Sequence, residues 1–123
     1  MKKILIVDDE PHVALVLKQF LERAGLCVLT ALNGELALSI IKQESPDVIV
    51  TDVQMPRMGG IELCETIKRT MPDLNCLLIL MTSRTDREIR IWVEKQANIE
   101  MMEKPLSMRR LLVRVNDYFA RSI

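Results

Sequence analysis

Apolar residues in this chain follow two patterns in alternation, and that alternation predicts its architecture. Residues 3–7, 26–31, 47–51, 76–81 and 99–102 are short, nearly continuous apolar runs rich in β-branched side chains. Such runs suit strands covered on both faces, because a strand with one wet face would alternate apolar and polar residues. Between the runs, apolar residues recur at helical spacing. Val13, Val16, Leu17, Phe20, Leu21 and Ala24 form one stripe over residues 11–24, and Gly25 supplies a stop. Shorter helices are predicted over 35–43, after an Asn33-Gly34 turn, and over 61–70, ahead of Pro72. A fourth helix runs from about 86 to 96. Ser107 caps a fifth, whose stripe is Leu111, Leu112, Val115 and Phe119.

Five strands alternating with five helices imply an α/β fold with a parallel, doubly wound sheet, since right-handed crossovers place helices on both faces. Residues 1–123 read as one domain of ordinary size, with no internal repeat, linker or low-complexity run. Lys and Arg together number 17, as do Asp and Glu. The resulting zero net charge gives no overall field to draw the domain to nucleic acid or anionic lipid. Cys27, Cys64 and Cys76 are odd in number and form no C-x-x-C, which argues against a disulfide framework and a zinc site. They read as reduced, mostly buried thiols. The first apolar run ends at Asp8, far short of a signal peptide or membrane span, so a soluble, cytoplasmic protein is expected.

Candidate chemistry sits where the runs end. Asp8 and Asp9 follow the first, Asp52 the third, and Lys104 stands just before Pro105 after the fifth. Ligands of open α/β sheets collect beyond the carboxyl ends of the strands, so acids from separate strands can converge there. Converging carboxylates suggest a divalent cation, and a nearby lysine suggests a phosphoryl group. Taken singly, each has a plainer reading: Asp8-Asp9 a solvated turn, Lys104 a surface residue, Thr82 a helix cap. His12, the only histidine, reads as a surface residue of the first helical turn, and Met101 and Met102 as core filling beside the fifth strand.

Four segments together resemble the receiver domain of bacterial two-component response regulators, over essentially the whole chain. They are Val7-Asp8-Asp9-Glu10, Thr51-Asp52-Val53-Gln54-Met55-Pro56 with Gly60, Thr82-Ser83, and Lys104-Pro105. The resemblance implies a flavodoxin-like five-stranded sheet in the order 2-1-3-4-5. It also implies that Asp52 is the phosphoacceptor, taking a phosphoryl group from a phosphohistidine of a sensor histidine kinase or histidine phosphotransfer protein. Mg²⁺ would be held by Asp9, Asp52 and the Gln54 carbonyl, with Asp8 acting largely through water. Lys104 and Thr82 would contact phosphoryl oxygens, and Pro105 would fix the direction of Lys104 through a cis bond. Without the cation, the clustered carboxylates should repel one another and raise at least one pKa.

The family usually carries an aromatic switch residue where this chain has Met101, whose flexible thioether makes the inward and outward states less distinct. Gln54 and Arg84 stand where family members tune water access to the acyl phosphate, and Trp92 is a candidate for either a partner surface or the core. By the same resemblance the surface of the fourth helix, fifth strand and fifth helix would meet a downstream protein, an output domain of a longer parent, or a second copy of the domain. The domain would be a phosphoacceptor with modest self-phosphorylation and self-dephosphorylation chemistry rather than an enzyme, binding neither nucleic acid nor membrane. A phosphatase of the haloacid dehalogenase class would need a second acid where Gln54 stands. A constitutive interaction module would not need the intact acid pocket.

Overall fold

The computed structural model describes residues 2–83 and 87–121. Five strands and five helices alternate along it: β1 (Lys3–Val7), α1 (Pro11–Arg23), β2 (Cys27–Ala31), α2 (Gly34–Glu44), β3 (Val48–Asp52), α3 (Gly60–Thr70), β4 (Leu77–Thr82), α4 (Arg87–Glu94), β5 (Ile99–Glu103) and α5 (Met108–Arg121). The strands form one parallel sheet in the order β2-β1-β3-β4-β5. That is the flavodoxin-like order the resemblance implied.

Alternate residues of each strand feed opposite layers, which is why the runs are apolar throughout. Leu5, Val7, Ile49, Leu78 and Leu80 pack with Ala37 and Ile41 of α2, Leu63, Cys64 and Ile67 of α3, and Ile89 and Val93 of α4. Ile4, Ile6, Val48, Val50, Leu77, Ile79 and Met81 face the other way, against Ala14, Leu17 and Leu21 of α1 and Leu111, Val115 and Phe119 of α5.

The helix ends have local causes. Asn33 Oδ1 accepts the Leu36 N–H at 3.0 Å and caps α2. Ser107 Oγ accepts the Arg110 N–H at 3.2 Å at the start of α5. Gly25 takes a φ of +91° just past α1, and Asn98 one of +61° just before β5.

Two predicted features shift. The core-facing side of α1 is Ala14, Leu17 and Leu21, whereas Val16 is 50% exposed and Ala24 is an exposed cap residue. Val16 instead lines a groove between α1 and the connection from β5 to α5. β3, β4 and β5 also each run one residue further than their apolar runs, because Asp52 pairs with Met81 and Thr82 with Glu103 in the sheet register. No helix among the described residues is long and apolar enough to cross a membrane.

Candidate functional site

The carboxyl edge of β1, β3, β4 and β5 gathers the acids and the lysine at the crevice where the chain, having wound from β1 to β2, turns back to β3 on the other side. Asp8 follows β1, and its N–H donates to the Ala31 carbonyl at 3.1 Å, so it continues the line of the sheet. Asp8 and Asp52 are 2% and 4% exposed, and Asp9 is exposed. One carboxylate oxygen from each of Asp8, Asp9 and Asp52 lies within 4.8 Å of the others.

Hydrogen bonds hold Asp8, Asp52 and Lys104. Lys104 Nζ donates to Asp52 Oδ2 at 2.7 Å, and the lysine remains 41% exposed. The Gln54 N–H donates to Asp52 Oδ1 at a longer 3.3 Å, and the Glu10 N–H to Asp8 Oδ1 at 2.9 Å. The Lys104 N–H donates to the Thr82 carbonyl at 2.8 Å, tying the lysine to the end of β4. Thr82 itself is buried, and among the described residues its hydroxyl makes a long 3.4 Å bond to the Ser83 carbonyl. Asp52, Gln54, Thr82, Ser83 and Lys104 line a cavity of about 50 Å³. That space suits a small oxyanion and is far below the several hundred Å³ of an organic-substrate pocket.

Burial is the main force on Asp8. Removal from water raises its pKa; the Glu10 N–H pulls the other way, the negative charge of Asp52 adds to the rise, Lys104 opposes it and Asp9 adds to it. Sequence reasoning expected a raised carboxyl from mutual repulsion. The rise occurs, but desolvation is its leading cause. The oxygen-only donor set, without histidine or cysteine, fits a hard divalent cation such as Mg²⁺.

The remaining candidates fall as follows. The Lys104–Pro105 bond is cis. Met101 is partly buried against the layer of α2, α3 and α4 and also lines an 850 Å³ groove between β5 and α5. Met102 packs against the opposite layer. Trp92 packs on the same layer as Met101. His12 is 78% exposed beside Glu10. Arg84 lies outside the described residues. Cys64 and Cys76 are buried, and burial pushes both thiols up to about 12, so they are inert at neutral pH.

Sequence reasoning did not find the glycine packing around the loop from β3 to α3. A Cβ at Gly60 would meet the Asp52 carbonyl oxygen at 2.4 Å. The Gly60 N–H donates to the Val53 carbonyl at 2.9 Å, closing the loop beneath Asp52. Its signals in the sequence were the adjacent Gly59-Gly60 pair and the place of Gly60 in the segment that carries the resemblance.

This sheet order, with an acid trio facing a lysine across its carboxyl edge, defines a receiver fold, and the chain belongs to the response regulator receiver domain family: the family model matches residues 4–116. It is therefore a domain of two-component signalling. Over 121 residues it is 36% identical to the alkaline phosphatase synthesis transcriptional regulatory protein PhoP of Bacillus subtilis, covering 98% of this chain and 50% of that one. It is 30% identical to the protein PilH of Pseudomonas aeruginosa, with 98% and 99% covered. Among solved structures, the receiver domain of the Francisella response regulator 1452 superposes with a TM-score of 0.89 at 29% identity, with 100% of each chain covered. The chain spans about half the length of several curated relatives it matches, such as PhoP.

Proposed function

We propose that the domain is a phosphorylation switch in which Asp52 accepts a phosphoryl group from a phosphohistidine on a sensor histidine kinase or histidine phosphotransfer protein. The observation that carries this reading is the 2.7 Å pair of Lys104 Nζ with Asp52 Oδ2 at the wall of an oxyanion-sized cavity. Asp52 Oδ1, which among the described residues accepts the longer bond from Gln54, keeps lone pairs for attack. An O–P bond forms there as the N–P bond to imidazole breaks, and the departing imidazole takes its proton from solvent. Phosphoryl transfer asks the protein chiefly to position groups and offset charge on the equatorial oxygens. Lys104 offsets one oxygen and Thr82 donates its hydroxyl to another, exchanging its long bond to Ser83. Mg²⁺ would be held by Asp9, Asp52 and the Gln54 carbonyl, with Asp8 acting largely through water, and would supply further positive charge.

Thr82 and Lys104 are joined through the backbone, so movement of either reaches β5, Met101 and the adjoining faces of α4 and α5. That surface is the proposed contact for a downstream protein, an output domain of a longer parent, or a second copy of the domain. Gln54 and Arg84 are the candidates for setting the lifetime of the phosphorylated state. On this reading the domain is a cytoplasmic phosphoacceptor rather than an enzyme, with no nucleic-acid or membrane contact of its own.

The test is incubation with acetyl phosphate in Mg²⁺ or in EDTA, followed by intact mass from seconds to an hour. One phosphoryl adduct in Mg²⁺ and little in EDTA is expected. No adduct in Mg²⁺ at any time, or equal labelling in EDTA, would contradict the proposal.

A further inference from the structure

Gly34 opens α2, yet nothing about its backbone requires glycine: its φ is not positive, and Asn33 already caps the helix. Space requires it. A Cβ at Gly34 would lie 2.7 Å from both Cβ and Cγ of Met58 and 2.8 Å from the Met58 carbonyl oxygen, well inside the 3.5–4.0 Å at which carbon atoms attract. Met58 belongs to the connection from β3 to α3, residues 53–59. Its base is closed by the bond from Gly60 N–H to the Val53 carbonyl. Its outer end rests on Gly34, and Arg57, with a φ of +71°, reaches to 3.9 Å from Glu35 Oε2 beside that contact. Between base and tip lies Gln54, whose N–H holds Asp52 Oδ1.

We infer that Gly34 is a positioning residue for the cation and phosphoryl site, acting through Met58 on the loop that carries Gln54. The inference rests on the function proposed above, and it adds α2 to the elements that set the site's geometry. A side chain at position 34 must displace one of its neighbours. α2 is anchored by Ala37 and Ile41, which are 0% and 1% exposed, whereas Met58 is only partly buried, so the loop yields rather than the helix. Displacement by around an ångström can cost ~10²-fold in a preorganised site. Opening the 2.7 Å contact to about 3.5 Å moves Met58 by about 0.8 Å, of which Gln54, four residues back along the loop, takes up only a part, so the expected cost at the site is about tenfold.

Isothermal titration with Mg²⁺ alone tests this, with circular dichroism and thermal melts alongside. Gly34→Ala should keep the far-ultraviolet spectrum of wild type but raise the Mg²⁺ Kd about tenfold. Gly25→Ala, at a left-handed position with open space around it, serves as the control. It should lower Tm and leave the Kd unchanged, the pattern that Gly34→Ala would share if its role were purely structural. Met58→Ala removes the atom seated on Gly34 without crowding anything, and should weaken Mg²⁺ in the same direction by a few-fold even if Gly34→Ala does not fold. Wild-type affinity in a folded Gly34→Ala, or in Met58→Ala, would overturn the inference alone. A wild type that binds no Mg²⁺ and takes up no phosphoryl group would overturn the underlying function and the inference with it.

Discussion

In the metal-free protein, Asp8 is a carboxylate whose surroundings favour its proton. The folded state binds that proton more tightly than the unfolded chain, whose value is about 3.8. Stability should therefore fall as pH rises from about 3.8 through the raised folded value, so the surroundings of Asp8 cost stability above that window. Asp8→Asn keeps an acceptor for the Glu10 N–H and removes the charge. In EDTA at pH 7 it is expected to raise Tm by ~2–5 °C, and to flatten the pH dependence of melting between about 3.8 and neutrality. A lower Tm than wild type would contradict this account of Asp8. Asp8, Asp9, Asp52 and Lys104 could be read from the sequence because each stands at the end of an apolar run, where a polar residue is conspicuous. The dominance of burial over repulsion at Asp8 could not, since it depends on how deeply the strand end sits.

Among the elements, the parts with a period were readable and the parts held by contact were not. Continuous apolar runs marked all five strands, but β3 and β4 extend onto Asp52 and Thr82 because a ladder continues while partners remain, whatever the side chain's polarity. α1 turned its stripe by less than a full face: Ala14 is buried where Val16 was expected, since a small residue suits close packing on the sheet and Val16 borders a groove. The seat of Met58 on Gly34 joins residues distant in sequence and leaves no periodic trace. α3 and the start of β4 bring Cys64 and Cys76 into one buried layer. Both thiols stay protonated far above neutral pH, with values pushed up to about 12. A thiol reagent at pH 8 should therefore modify no more than Cys27 in the native protein, and all three cysteines once it is unfolded. Fast native labelling of Cys64 or Cys76 would show that this layer opens.

As a single object, the domain consists of two apolar layers divided by one sheet, with every charged group of the site at the same edge. The layers hold the strand ends rigid, and the reversal of winding between β1 and β3 opens the crevice that Asp8, Asp9, Asp52 and Lys104 share. Any of the three carboxylates could serve as the proposed phosphoacceptor, and the proposal takes Asp52 because, of the three, it pairs with Lys104 at 2.7 Å and lines the small cavity with Thr82. Trapping the phosphorylated protein with borohydride, which reduces an aspartyl phosphate to homoserine, and mapping the product by peptide mass tests that choice directly. Homoserine at position 52 alone, absent from Asp52→Asn, is the expected result; homoserine at position 8 or 9, or none in protein shown by intact mass to carry a phosphoryl group, would contradict it.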